Sequence, residues 1–229
     1  MIILAFDTAM AACSAAVWRD GALLAHRSRA IDRGHSEILV PMIRDVMAEA
    51  AINFDSLDRI GVTVGPGSFT GIRIGLAAAH GFGLAVSLPF VGVSTLEAVA
   101  EAARSRNAGH RTVLVVLDAG RPDLFVQIFT SDGTPIVPAQ ARSAEDVTAL
   151  LPSETIMIAG NGAPRLSAIF ADRDVICDTG SGLPDAAQVA AIAGRREPAP
   201  LTPLYIHPSY AKSPADKFPD QDLGGGAPK

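Results

Sequence analysis

The sequence predicts an α/β protein in two β-rich halves, each a mixed sheet flanked by helices. Short apolar runs alternate with longer stretches whose apolar residues recur every three or four positions, the periods of strands and helices. A glycine-rich string, Gly65-Pro66-Gly67-Ser68-Phe69-Thr70-Gly71-Ile72-Arg73-Ile74-Gly75, follows a strand-like run at 60–64 and opens a long helical pattern. Beyond a polar break at 105–111, the β-rich opening recurs at lower strength.

Taken in order, residues 2–7 read as a central strand, which puts the Asp7-Thr8 step at a strand end facing a turn. Residues 13–18 and 22–25, joined by Asp20-Gly21, read as a hairpin. From His35 the period becomes helical, with Ile38, Leu39, Met42, Ile43, Val46, Met47 and Ala50 on one stripe. Ser36 is the candidate cap, and Pro41 belongs in the early turns, where its missing donor costs least. Residues 53–58 form a polar connector to the strand at 60–64.

The glycine string forces a tight turn, because glycine reaches positive φ cheaply. Ser68 or Thr70 can cap the helix that follows to about residue 87, and such an N-terminus is pre-set to meet an anion or a partner's acidic group. Along that helix Gly71, Gly75, Ala79 and Gly83 recur every four residues, which allows close approach of another backbone. A short strand at 90–93 leads into a helix at 96–104, capped by Ser94 or Thr95 with Glu97 in its first turn.

The polar break sets the expected division: 1–106 as the first lobe, 107–197 as a smaller second lobe, and 198–229 as a Pro/Gly-rich C-terminal segment, mobile at its end from 213. In the second lobe, strands are expected at 112–117, 125–129 and 156–159, the first ending in Asp118-Ala119-Gly120 and the last in Gly160-Asn161-Gly162. Short helices are expected at 144–151 and 186–193.

Composition bounds the function. With 229 residues and 48% of them hydrophobic, a sizeable core is within reach. A formal charge of −5 argues against strong autonomous binding to a nucleic-acid backbone, so any RNA contact would be local or delegated. Cys13 and Cys177, without CxxC spacing, give neither a disulfide framework nor a zinc site, which fits a reducing cytoplasm. The N-terminus lacks the positive start of a signal peptide. No apolar run approaches the roughly 18 residues of a membrane helix, so no membrane association is expected.

Phe6-Asp7-Thr8, His35-Ser36-Glu37, the glycine string and Gly92-Val93-Ser94-Thr95-Leu96-Glu97, in this order, resemble the TsaB (YeaZ) family, a subunit of the bacterial machinery that makes threonylcarbamoyladenosine in tRNA. The match is close over the first hundred residues and looser beyond. The segment Asp118-Ala119-Gly120-Arg121-Pro122-Asp123 and the ending Tyr205-Ile206-His207 depart from the family's pattern. The resemblance implies two ribonuclease-H-like lobes around a cleft, the fold of sugar kinases, Hsp70 and actin. It implies weak nucleotide-contacting roles for Asp7, Thr8, Asp118, Gly120, Gly160 and Gly162.

The resemblance also marks an absence. The catalytic relative TsaD carries a His-x-x-x-His metal pair after its short strand, and Thr95 and Val99 hold those places here. His26, His35, His80, His110 and His207 include no pair four apart, so no metal site is expected. No Gly-x-Ser-x-Gly elbow or Walker loop is present to support peptidase or P-loop chemistry.

The expected function is therefore a non-catalytic subunit that dimerises with TsaD, with TsaE as a transient partner, tRNA bound only through the complex, and self-association in isolation. ATP or ADP belongs to the complex rather than to tight binding by this chain. The expected interface comprises His35, Ile38, Leu39, Met42, Ile43 and Val46 of the first helix and Gly71, Ile72, Gly75, Leu76, Ala79 and Gly83 of the second. Together they would join a bundle of roughly 1,200–2,000 Å². The competing reading is that these helices only cover their own sheet. The alternative function is an ATP-dependent small-molecule phosphotransferase of the same fold.

Overall fold

The computed structural model describes residues 1–107, 111–151, 155–170 and 174–206. Their order is β1 (Ile2–Met10), β2 (Ala12–Arg19), β3 (Ala22–Ala30), α1 (His35–Glu49), β4 (Arg59–Gly65), α2 (Phe69–Val86), β5 (Phe90–Ser94) and α3 (Thr95–Arg106). The second half continues with β6 (Val113–Leu117), β7 (Leu124–Phe129), β8 (Gln140–Arg142), α4 (Ala144–Val147), β9 (Ile156–Ala159), β10 (Val175–Cys177) and α5 (Ala186–Ala193).

Two five-stranded mixed sheets result, ordered β3-β2-β1-β4-β5 and β10-β9-β6-β7-β8. In each, the first strand pairs antiparallel with the second and parallel with the fourth. The two halves thus share one topology, and the predicted fold class is the one observed. The strands lack strict alternation because helices cover them: all five residues of β6 are buried.

Helix α1 buries His35, Leu39, Met42, Ile43, Val46 and Met47 toward the first sheet, each apolar side chain contributing roughly 1.5–3 kcal/mol. Its N-cap is Gly34, at φ 88°, with no side-chain cap, so Ser36 does not play the part expected of it. Ser68 does cap α2, its hydroxyl accepting from the Gly71 N–H at 3.3 Å. Ser94 and Glu97 close a capping box on α3.

Other expectations need correction. Strand β1 runs through Asp7-Thr8 to Met10, so that step lies inside the strand, where its register with β2 shifts. Helix α2, at 18 residues, is long and apolar enough to cross a bilayer by length and composition, contrary to the expected lack of such a run. In the fold it lies on β1 and β4, with six residues buried.

Helix α5 returns from the second half to the first sheet, where Val189, Ala190, Ile192 and Ala193 pack with Ile3, Ala5, Val91 and Val93. Arg59 holds its C-terminal end, donating to the Ala193 and Arg196 carbonyls at 3.0 and 2.8 Å. The chain then crosses the ends of β5 and β4, with the Ala199 N–H on Phe90 O at 2.9 Å and the Leu204 N–H on Val64 O at 2.7 Å. The tail expected to be mobile from 213 lies outside the described residues, as do His110 and His207.

Candidate functional site

The glycine string serves a close backbone junction. A Cβ on Gly67 would stand 2.3 Å from Ala9 O and one on Gly71 2.1 Å from Thr8 O, so only glycine lets the α2 turn rest against the end of β1. Hydrogen bonds seal the contact: Ser68 N–H donates to Ala9 O at 2.8 Å, and the Thr8 hydroxyl donates to Gly71 O at 2.7 Å. One N–H of this turn therefore meets β1, where the sequence suggested a free anion-binding end.

Beside this junction Asp7 is fully buried. Its Oδ1 accepts from the Thr63 hydroxyl at 2.6 Å and from the Ala9 N–H at 3.1 Å, while Oδ2 has no hydrogen-bond partner among the described residues. Burial pushes its pKa up to about 7, against the lowering effect of those bonds, and the Asp185 charge adds to the rise. Cys13 shares this environment, and burial, with the Asp7 charge, lifts its thiol to about 12, where it is a poor nucleophile.

Asp185 belongs to a site that the sequence did not reveal. It caps α5 through the Ala187 N–H at 2.8 Å, and its two oxygens lie 2.8 and 2.9 Å from His26 Nε2. Burial raises its pKa, but the bonds from His26 and Ala187 outweigh that and hold it below the usual carboxylate range, while His26 is held above its ordinary value by Asp185. The Ala186 N–H donates to Ser14 Oγ at 2.9 Å. With 159 positions between His26 and Asp185, no spacing rule could have found the pair.

A cleft of about 500 Å³ opens where the two halves meet. The start of α1 (His35, Ser36), the start of α2 (Ser68, Thr70) and the Asp118-Ala119-Gly120 turn line it, together with Arg33. Helix N-termini favour anionic groups, whereas Asp32 and Asp118 on the same walls oppose them. His35 is committed elsewhere, its Nε2 being 2.9 Å from Met10 O.

Of the six expected nucleotide residues, the structure brings only Asp118 and Gly120 to this cleft. Asp7 and Thr8 are buried beneath the α2 junction. Gly160, at φ 109°, and Gly162 let their backbone close on β6: a Cβ on Gly160 would lie 2.0 Å from Val116 O. Asn161 ties this segment to the turn, accepting from Asp118 N at 3.0 Å and donating to Asp118 O at 2.9 Å.

The twelve expected interface residues are similarly placed inside. Eleven are buried within this chain, and Ile38 is half-buried. The small-residue stripe meets the chain's own sheet: a Cβ on Gly75 would lie 2.8 Å from Thr8 Oγ1, and one on Gly83 2.2 Å from the Phe90 ring. The surface these helices leave free is carried by other residues, notably Val40, Ala77, Gly81, Leu84 and Ala85. Thr95 and Val99 are both buried, and Thr95 Oγ1 has no hydrogen-bond partner among the described residues. Among the described residues, no three His, Cys, Asp or Glu side chains gather as a metal site would require.

Comparison with known proteins agrees with this architecture. The sequence model of the family described as TsaD, tRNA N6-adenosine threonylcarbamoyltransferase, matches residues 27–173. An uncharacterized protein of Mycobacterium tuberculosis is 35% identical over 92% of this chain and 93% of its own length. The tRNA threonylcarbamoyladenosine biosynthesis protein TsaB of Escherichia coli is 39% identical over 125 residues, 55% of this chain and 53% of TsaB, so that match spans about half of each. The structure of YeaZ from Pseudomonas aeruginosa superposes with a TM-score of 0.78 at 28% identity, covering 90% of this chain and 99% of that one. Topology, glycine junction and relatives together identify the chain as a member of the TsaB (YeaZ) family of tRNA threonylcarbamoyladenosine biosynthesis.

Proposed function

We propose that this chain is the non-catalytic subunit that pairs with TsaD and supports threonylcarbamoyl transfer to tRNA adenosine. The observation that carries the reading is the pair Thr95 and Val99, both buried at the start of α3. Neither side chain is an imidazole, so neither can supply a metal-binding His-x-x-x-His face. Metal and chemistry then belong to TsaD, with tRNA and ATP or ADP engaged at the assembled complex, and TsaE joining transiently.

The proposed pairing surface is the outer face of α1 and α2. Leu84 is 87% exposed and Val40 52%, while Ala77, Gly81 and Ala85 leave the outer side of α2 nearly free of bulk. In isolation the same face would join a second copy. Co-purification with the cognate TsaD tests this: Leu84→Arg and Ala77→Arg should abolish recovery of TsaD while leaving the thermal unfolding of the chain unchanged. Recovery at wild-type levels by both variants, or normal threonylcarbamoyladenosine in cells lacking the protein, would reject the assignment.

The cleft supports a second reading, a small-molecule phosphotransferase, because two helix N-termini line it. That reading requires the isolated chain to turn over ATP, with loss of turnover in Asp118→Ala. Asp7→Ala would be uninformative, since Asp7 is buried and bonded to Thr63.

A further inference from the structure

A second, smaller cavity of about 260 Å³ lies beside the α2 turn, walled by Pro66, Phe69, Arg121, Phe125, Leu204 and Tyr205. Two of its aromatic rings reach the surface, Phe69 at 48% exposure and Tyr205 at 41%. Here they are held in place: the Arg73 guanidinium sits 3.5 Å over the Phe69 ring, and its Nε donates to the Tyr205 hydroxyl at 3.3 Å. The Phe69 and Tyr205 centroids are 5.4 Å apart, at 36°. The Leu204 N–H bond to Val64 fixes the segment that brings Tyr205 there.

The charge at this site is of one sign. Arg73 and Arg121 are both exposed, and among the described residues neither guanidinium has a carboxylate partner, unlike Arg104, Arg106, Arg165, Arg195 and Arg196. Among the described residues, no Asp or Glu lines the cavity. Ordered aromatic rings beside guanidinium groups whose charge no described carboxylate offsets suit a planar π-system that carries an anion. The volume falls below the roughly 300–1,000 Å³ typical of pockets that enclose a whole drug-sized ligand, so one ring system would enter and its anionic group would remain outside, at Arg121.

We propose that this cavity binds a nucleobase bearing a phosphate, stacked against Tyr205 and Phe69 with the phosphate on Arg121. The base comes either from a free nucleotide or from single-stranded RNA, whose unstacked bases pack on aromatic and guanidinium planes. Such a site is local, and so compatible with an acidic chain. Phe69 and Arg73 begin the exposed row that Ala77, Gly81 and Ala85 continue along α2, so the cavity borders the face proposed to meet TsaD, while binding there needs no partner chain.

The test uses the full chain, with fluorescence anisotropy of a labelled oligoadenylate of about ten nucleotides and AMP as competitor. Tyr205→Ala should weaken binding about tenfold at every salt concentration, while Tyr205→Phe, which keeps the ring, restores it. Arg121→Gln should reduce the slope of log affinity against log salt by about 0.7, the value for one phosphate contact on a single strand. Competition by AMP at concentrations comparable to the oligonucleotide identifies a free nucleotide as the source; no competition identifies RNA. The proposal is overturned if neither probe binds up to millimolar concentration, or if Tyr205→Ala and Arg121→Gln bind as the parent does. Loss of TsaD recovery in these variants with unchanged oligonucleotide binding would assign the cavity to a protein contact and overturn it equally.

Discussion

Thr63 donates its hydroxyl to Asp7 Oδ1 at 2.6 Å across the β1–β4 pair, and leaves the other oxygen of that buried carboxylate without a partner among the described residues. The folded pKa of about 7 lies above the ordinary 3.8, so between those values the folded chain holds a proton that the unfolded chain has released. Stability therefore falls as pH rises from about 4 to 7 and then levels, with an upper bound of about 4 kcal/mol on the loss. Asp7→Asn keeps an acceptor for Thr63 and removes the charge. It should raise the melting temperature at pH 8 by roughly 5 °C and change it little at pH 5. A lower melting temperature for the variant at both pH values would refute this account.

His26 and Asp185 give a second, separable pH dependence. His26 is held above its ordinary pKa, chiefly by its hydrogen bond to Asp185. Its contribution is thus complete below about pH 6.5 and disappears as pH rises through the folded value. Urea unfolding of His26→Gln at pH 6 and pH 8.5 should show the larger deficit at pH 6. Equal deficits at both would mean that the ring contributes only packing. Because Asp7 acts in the same direction, the measurement is cleanest in the Asp7→Asn background.

Two glycines of α2 should respond oppositely to the same change. At Gly71 an added methyl meets backbone, Thr8 O at 2.1 Å. Neither partner can step aside, so Gly71→Ala should cost about 1–3 kcal/mol. At Gly81 nothing lies within 4 Å, so Gly81→Ala should stabilise by about 0.5–1 kcal/mol through helix propensity. Chemical denaturation of both single variants decides the matter, and a neutral Gly71→Ala would show that the α2 turn does not rest on β1.

The contrast explains what was legible in the sequence. Among the described residues, period and cap chemistry disclosed eight of the ten strands and all five helices, α5 to the residue, because burial on a sheet imprints itself locally, whereas β8 and β10, three residues each, are too short to show a period. The Gly71/Gly75/Ala79/Gly83 stripe announced close approach without naming the approaching group. A partner helix and the chain's own β1 demand the same small side chains, and only the distances to Thr8 and Phe90 separate them. Asp118 and Gly120 could be read as strand-end residues at a cleft, whereas Asp7 could not be read as buried, since β1 passes through it to Met10. The His26–Asp185 bond and the path of residues 199–206 depend on chain segments more than a hundred positions apart, and left no local pattern.

The last consequence concerns the polar break after α3. In sequence it looks like the end of a self-sufficient unit, yet one face of the first sheet is covered by α5, from the far end of the chain. Ile3, Ala5, Val91 and Val93 all lie at 0–1% exposure in that layer. Removing the cover would return most of this apolar surface to water, at roughly 25 cal/mol for each Å² exposed. Gly61 adds a steric fit, since a Cβ there would already touch Ala193 at 3.1 Å. A fragment ending at Arg106 should therefore lack a cooperative thermal transition and expose dye-binding apolar surface, where the full-length protein unfolds cooperatively. A cooperative transition in the shorter fragment would show that the first sheet closes without α5.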